Sequence, residues 1–363
     1  MNKTILIGDI HWGESKNSPQ VMKMQFEYFT TFFKQKLIEN GIKKVFINGD
    51  LIDNRKTMSI ILQNMLIDVF GNHLKDFEFH VIVGNHDVAH KDSNEINGIS
   101  FLDKILPNFN VYTEPTEMIL ENGKKVLLVP WLHEKSDFRS YVNQLKKEGK
   151  YFDFCFGHFE LNGFKLNSKV VHDFGEQDVT MFQDVFGAVF SGHYHTRSSK
   201  DVFGVKFQYG GSPFAFNRSD IDDPKGFIHL NLDTSEYEFI ESENIFRFHK
   251  IDFDTFEKKK TKLTAEFISK NFIDVYVKKS KVNTPSYKKF QDQIKSLFPQ
   301  RYTTILIDDS VELVSALQVQ EDALGLNIDD IIVNYVSKLD VTQILKDRIT
   351  LEIGNIQQEL KNI

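Results

Sequence analysis

Five short stretches of the chain each end an apolar run with residues that bind metal ions. They are Gly8-Asp9-Ile10-His11, Gly49-Asp50-Leu51-Ile52-Asp53, Gly84-Asn85-His86-Asp87, Gly157-His158 and Gly192-His193-Tyr194-His195. A single Gly-Asp after a strand is ordinarily a turn or a helix cap, and a single Gly-His an ordinary surface or core histidine. The succession Asp-x-His, Asp, Asn-His, His, His-x-His supplies what phosphoester hydrolysis by paired divalent ions needs. Two ions about 3.5–4 Å apart clamp the phosphoryl oxygens and lower the pKa of a bound water. Such a pair needs a bridging ligand, for which a carboxylate is the natural choice, with nitrogen and oxygen donors around each ion and open positions for water and substrate. Asp9 and His11, two apart at a strand end, share a face and can reach one ion. Asp50 can bridge, Asn85 offers a neutral oxygen, and His158, His193 and His195 complete the set. A histidine at His86, beside Asn85 and Asp87, can protonate a leaving oxygen. Asp53 can orient a ligand from behind and Arg55 can hold that loop or a phosphate; a plain salt bridge accounts for them as well. His73, His80, His90, His133, His172, His229 and His249 lie in no comparable context and read as surface or packing residues.

The elements that must carry these residues follow from the pattern. Thr4–Ile7, Lys44–Ile47, Phe79–Val83, Val126–Val129, Phe152–Phe156 and Ala188–Phe190 are β-rich runs bounded by Gly, Asn or Pro, and each predicts a strand. Open α/β sheets gather their ligands at the carboxyl ends of such strands. Pro19–Asn40 predicts a helix, with Ser18 as N-cap, Pro19 at the first position and Gly41 as the stop. Its apolar face is Met24, Phe29, Phe32, Phe33 and Leu37. A second helix, over about 57–74, is apolar nearly all round (Ile60, Ile61, Leu62, Met65, Leu66, Val69, Phe70). It therefore buries more than one side, against the sheet and against either a second subunit or the rest of its own chain. After residue 200, Val202–Gln208, Gly226–Asp233 and Glu236–Glu241 predict antiparallel strands. A smaller unit then reads as strand, helix, strand over Phe272–Val277, Ser286–Phe298 and Thr303–Ile307. Beyond Asp308 the chain turns acidic and helical, with a short apolar seam at Ile349, Ile353, Ile356, Leu360 and Ile363.

Bulk properties exclude several classes. No apolar stretch approaches ~20 residues, so no membrane span is expected. The first residues run straight into a strand, which leaves no room for a signal peptide. The single cysteine, Cys155, allows no internal disulfide and fits a cytoplasmic location. The net charge of −7 argues against an all-over nucleic-acid-binding surface, but residues 250–301 carry 13 Lys+Arg against 6 Asp+Glu. That local surplus suits a phosphate-binding surface or a solvated lysine-rich face.

The motifs resemble those of the calcineurin-like metallophosphoesterases. Within them they resemble the SbcD-type DNA-repair nucleases, in particular the phage-encoded recombination endonuclease subunits. The likeness is carried by Gly8-Asp9-Ile10-His11-Trp12-Gly13, Asn48-Gly49-Asp50-Leu51-Ile52-Asp53-Asn54-Arg55, Gly84-Asn85-His86-Asp87, Gly157-His158, Gly192-His193-Tyr194-His195-Thr196-Arg197 and Gly210-Gly211-Ser212-Pro213. The resemblance implies an α/β (α+β) four-layer sandwich of two β-sheets flanked by helices, with a small α/β capping domain and a helical tail. The corresponding divisions are 1–245, 246–308 and 309–363. It also implies two Mn2+ ions, or Mg2+ in their place. Asp9, His11, Asp50 and His195 would hold the first and Asp50, Asn85, His158 and His193 the second, with His86 as leaving-group acid. The activity implied is 3'-5' double-strand exonuclease and single-strand endonuclease action on DNA in repair and recombination. The partners implied are an SMC-like coiled-coil ATPase bound by the C-terminal helices and a second copy bound through the helix near 57–74. If phage-encoded, the chain would act in the host cytoplasm. Many cellular members carry His where this chain has Asp53, and no lysine of 250–301 aligns with a family DNA contact. Two rival readings share the motifs: a phosphatase or cyclic-nucleotide phosphodiesterase acting on small substrates, and a non-enzymatic scaffold, which would have lost ligands.

Overall fold

The computed structural model describes residues 2–307 except 91–92, 134, 167–169, 173–174, 176, 222, 260–263, 265–270 and 298–301. The predicted helical tail, with its seam from Ile349 to Ile363, lies outside the described residues.

Alternation along the strands sets the layers, because successive residues point to opposite faces. In Lys3–Ile7, Ile5 and Ile7 face one way and Leu6 the other. Val45 and Ile47 oppose Phe46 in Lys44–Asn48, and Val81 opposes Ile82 in Glu78–Ile82. Leu127 and Val129 oppose Val126 and Leu128 in Lys125–Val129, and Cys155 opposes Phe154 and Phe156 in Phe152–His158. One set from each sheet meets in a shared core containing Leu6, Phe46, Ile82, Val126, Leu128, Phe154, Phe156 and Phe190. The outward sets are covered by helices, giving four layers.

The first sheet runs in the order Tyr237–Glu241, Gly226–Asn231, Lys3–Ile7, Lys44–Asn48, Glu78–Ile82, Phe109–Tyr112. Its last four strands are parallel. The second runs Ser198–Val202, Val205–Tyr209, Phe186–Gly192, Phe152–His158, Lys125–Val129, Thr116–Ile119, with parallel strands in the middle and antiparallel ones at both edges. Asn48 ties the two sheets together where the motifs emerge. Its Nδ2 donates to the Phe190 carbonyl (3.2 Å), and its own carbonyl accepts from His158 Nδ1 (2.7 Å).

Several expectations shift in detail. The first long helix covers 19–39 with the predicted buried face, but a π turn interrupts it at Phe29–Phe33. Ser18 occupies the N-cap position without capping through its side chain, which bonds Gln20 instead. The second helix begins at Ile60 rather than near 57, because Asn54 Oδ1 holds the Lys56 and Thr57 amides in a turn. It buries Leu62, Leu66, Val69 and Phe70, while Ile60 and Ile61 remain 75% and 64% exposed. The run Val202–Gln208 is not one strand. Phe203 and Gly204, both at positive φ, turn the chain, and Val205–Tyr209 returns parallel to Phe186–Gly192.

A third, three-stranded parallel sheet is formed by Arg247–Asp252, Asn271–Lys278 and Tyr302–Ile307. The helices Phe253–Lys259 and Pro285–Leu297 belong with it, and Phe253, Ile273, Val275, Val277, Tyr287, Phe290 and Ile294 form its core. Its first strand and first helix were not anticipated; Pro285 does open the second helix. Arg218 joins this unit to the sandwich through a bidentate pair with the Asp274 carboxylate (2.5 and 3.0 Å). Among the described residues no helix is long and apolar enough to cross a membrane.

Candidate metal centre

Three of the motifs leave their strands through a sharp turn, while His158 is the last residue of its strand. Asp9, His11, Asp50 and His193 have φ of 51°, 48°, 51° and 93°, a left-handed conformation that side chains other than glycine seldom adopt. Such strain persists only where surrounding contacts enforce it. Here the two loops zip together: the Asp9 amide donates to Gly49 O (3.1 Å), Ile10 and His11 to Asp50 O (2.9 and 3.0 Å), and Trp12 to Leu51 O (2.9 Å). Gly84 is required by close approach, since a Cβ there would strike the Asp50 carboxylate. Gly49 combines positive φ (84°) with a position where a Cβ would strike the His158 ring.

All seven predicted ligand residues converge at this edge. Asp9, His11 and His195 offer donor atoms that lie within 4.8 Å of one another, as do Asp9, Asp50 and His158. His11 Nε2 faces His195 Nε2 at 3.1 Å. On the other side Asn85 Oδ1 lies 2.9 Å from His158 Nε2 and 3.1 Å from His193 Nδ1. Asp50 Oδ2 stands between the two groups, 3.6 Å from His11 Nε2 and 3.4 Å from His158 Nε2. Buried Asp9 Oδ2 has no hydrogen-bond partner, and its Oδ1 accepts from the His193 amide (2.8 Å).

This donor set fits divalent cations. Two imidazole nitrogens facing each other at hydrogen-bonding distance need a proton or a cation between their lone pairs, and an unpartnered buried carboxylate oxygen needs the same. His158 donates from Nδ1 to Asn48 O, which leaves Nε2 for an ion, the usual arrangement of a metal-binding histidine.

The remaining candidates surround the ligands. His86 is half-buried. Its amide donates to Asp50 Oδ1 and its Nδ1 to the Asp53 carbonyl (both 2.8 Å), so Nε2 is the nitrogen left over. The His86 ring packs edge-on to His11 at 4.7 Å. Asp53 Oδ1 faces His11 Nδ1 at 3.5 Å, too long for a strong bond. Buried Asp87 accepts from the Ile52 amide (3.0 Å) and the Gly84 amide (2.8 Å), stapling the loop of Asp50 to the loop of Asn85 and His86. Arg55 is half-buried and makes no ion pair among the described residues.

Burial and mutual charge set the protonation states. Burial raises Asp9 to about 6. Burial and the Asp50 charge together raise Asp87 to about 7. For Asp50 burial opposes ionisation, but the charge and hydrogen bond of His158 outweigh it and hold the carboxyl far below the usual range. Burial likewise opposes charge on His158, yet Asp50 and Asp9 push it up to about 9. Burial and the neighbouring His158 charge lower His193 to about 3, and burial with the His11 charge lowers His195 well below its ordinary value.

Four residues that shape this site were not anticipated. Asn48 precedes Gly49 and orients His158. Trp131, which follows a strand end as the other motifs do, packs on His193 with ring centroids 5.2 Å apart. Phe216 lies edge-on to His11 (5.1 Å) and His195 (5.2 Å). Lys225 reaches the main chain of His195 from below (3.0 Å). Phe216 and Lys225 carry no local signal, being distant in sequence from every ligand.

Two facing sheets with oxygen and nitrogen donors gathered at their shared edge define a metal-dependent phosphoesterase. The chain belongs to the calcineurin-like phosphoesterase family, whose sequence model matches residues 3–197. It is similar to exonuclease subunit 1 of Enterobacteria phage T4, at 26% identity over 339 residues, covering 91% of this chain and 92% of that protein. Among solved structures it is similar to an archaeal phosphodiesterase (TM-score 0.35, 11% identity, 66% of this chain and 99% of that one). Another is GAP50, the anchor in the inner membrane complex of Plasmodium (TM-score 0.39, 13% identity, 66% and 89%).

Proposed function

We propose that the chain is the nuclease subunit of a DNA-processing complex, hydrolysing phosphodiester bonds at two Mn2+ ions as a 3'-5' double-strand exonuclease and single-strand endonuclease. The observation that carries this reading is the position of Asp50 Oδ2 between one histidine of each ligand group. Asp9, His11, Asp50 and His195 would hold one ion, and Asp50, Asn85, His158 and His193 the other. Such ions supply charge neutralisation at the phosphoryl oxygens and activation of the attacking water. The protein's own residues do the rest. His86, oriented by the Asp53 carbonyl at Nδ1, carries a proton on Nε2 toward the leaving oxygen. Asp87 keeps the His86 loop in register with Asp50. Trp131 and Phe216 wall the histidines with apolar rings.

DNA as substrate is favoured by the likeness to a phage exonuclease subunit over nearly the full length of both chains and by the basic segment 250–301. On this reading residues 1–245 form the nuclease domain, 246–308 a DNA-binding cap, and 309–363 the region that binds an SMC-like ATPase. A second copy would pack on the helix bearing Ile60 and Ile61, which are exposed in the single chain.

The test is cleavage of end-labelled duplex and single-stranded DNA with Mn2+, beside a cyclic nucleotide and a small aryl phosphate. DNA should be cut and the small substrates turned over poorly; the reverse preference would reject the nuclease reading. His86→Asn should retain Mn2+ and DNA binding while cleavage falls by about 10²–10⁴-fold, the usual scale of general-acid catalysis. A fully active His86→Asn would reject that residue's role.

A further inference from the structure

Below the His195 loop lies a buried cation that the proposed chemistry does not use. Lys225 is fully buried, and its ammonium spends all three donors. They go to the His195 carbonyl (3.0 Å), Asp220 Oδ1 (2.6 Å) and Asp223 Oδ2 (2.8 Å). The two carboxylates are 4% exposed. Each of them reaches on toward the metal centre. Asp223 Oδ2 accepts from Thr196 Oγ1 (3.2 Å), next to His195. Asp220 Oδ2 accepts from the Phe216 and Asn217 amides (2.8 and 3.0 Å), and the Phe216 ring packs against both His11 and His195. The His195 carbonyl is further held by the Ser212 amide (3.1 Å). The carbonyl of one candidate ligand is thus held by two donors, and the ring beside its imidazole is carried by a residue whose amide is held by a carboxylate that also binds Lys225.

A buried ion-pair cluster of this kind contributes little net stability, because desolvation offsets its attraction; replacing it by apolar groups of similar volume is often neutral. Its geometric specificity is therefore the property to explain. We propose that Lys225, held by Asp220 and Asp223, is a positioning residue for His195 and sets the affinity of the ion that His195 holds, without touching substrate. The ion-holding role of His195 on which this rests belongs to the proposed function.

The test is a Mn2+ titration of the full-length protein by calorimetry, with thermal melting of the chelated protein alongside. Lys225→Met alone leaves two buried carboxylates uncompensated and risks unfolding. The informative variant is therefore Lys225→Met combined with Asp220→Asn and Asp223→Asn, which removes the charges together. Asp223→Asn alone, which keeps the shape, is read in the same way should the triple variant not fold. The wild type should bind two ions. The variant should lose about 10–100-fold in affinity for one ion, the usual effect of removing an outer partner of a metal ligand. It should keep the other and match the pattern of His195→Ala. Two unchanged affinities in a folded variant would overturn the proposal. So would parallel loss of both ions together with a lowered melting temperature, which marks a structural role only. A wild type that binds no divalent ion would instead overturn the metal reading of His195 itself.

Discussion

With His158 and Asp50 as the proposed ligands, metal binding becomes a proton-linked event. Without an ion, Asp50 and Asp9 hold His158 at about 9, against the burial that would lower it. At pH 7 the imidazole therefore carries a proton that a metal ligand must lose. Binding should release at least one proton per protein at pH 7, and Mn2+ affinity should rise with pH until about 9 and then level off. Calorimetry in two buffers of different ionisation heat measures the released proton, and no release at pH 7 would contradict this assignment. The stability signs follow. A raised histidine contributes stability that is full below its unfolded value and is lost as pH rises through about 9. Asp87, raised to about 7, likewise favours the fold below the ordinary carboxyl range and withdraws that contribution as pH rises through 7. Asp50 behaves oppositely, its contribution being lost only as pH falls through its lowered value. The lowered His193 and His195 oppose this trend below about pH 7, so the chelated protein should melt at falling temperature from about pH 7 to pH 9, and Mn2+ should remove much of that fall.

The loops between strand and helix act in pairs. The loop after Lys3–Ile7 zips to the one after Lys44–Asn48 through main-chain bonds, and Asp87 staples the latter to the loop of Asn85 and His86. Asp87→Ala should leave the buried Ile52 and Gly84 amides without a partner. Each unmade bond costs about 1–3 kcal/mol. A lower melting temperature together with weaker Mn2+ binding is expected; a drop in stability with unchanged binding would show that the staple does not set the site. These pairings also explain what was legible in the sequence. Strand ends and ligands announce themselves locally, because a β-rich run followed by Gly-Asp or Gly-His occupies consecutive residues. The supports were not legible, because they are nonlocal. Nothing near His195 in sequence signals Lys225, and nothing near His11 signals Phe216. The π turns at Phe29–Phe33 and Val69–His73 carry no distinguishing residue pattern. The strand Arg247–Asp252 was missed because its residues are only partly buried and its polar positions blur the alternation.

At the scale of the molecule, the proposed function divides the labour of chemistry, DNA binding and assembly among the metal-binding edge, the third sheet and the exposed isoleucines. Replacing Ile60 and Ile61 by Glu should yield a monomer by sedimentation while chelated-state melting is preserved, since neither side chain is buried in the single chain; an unchanged oligomer would exclude that face. The third sheet narrows the choice among basic residues. Lys278 and Lys281 pair with Asp254 (3.0 and 3.8 Å), Lys281 also pairs with Glu257 (2.9 Å), and Lys250 lies over the Tyr276 ring at 4.1 Å. Lys288, Lys289 and Lys295, on the helix Pro285–Leu297, are exposed and make no ion pair among the described residues. Among the described residues, these are lysines with charge to spare for phosphates. Each phosphate contact adds about 0.9 to the slope of log affinity against log salt, or about 3.5-fold between 50 and 200 mM. Lys288→Glu with Lys289→Glu should therefore weaken duplex binding at low salt and flatten the slope by about 2, with cleavage of a small phosphodiester unaltered. An unchanged slope would return the basic segment to a solvated surface and move the DNA path elsewhere on the active edge.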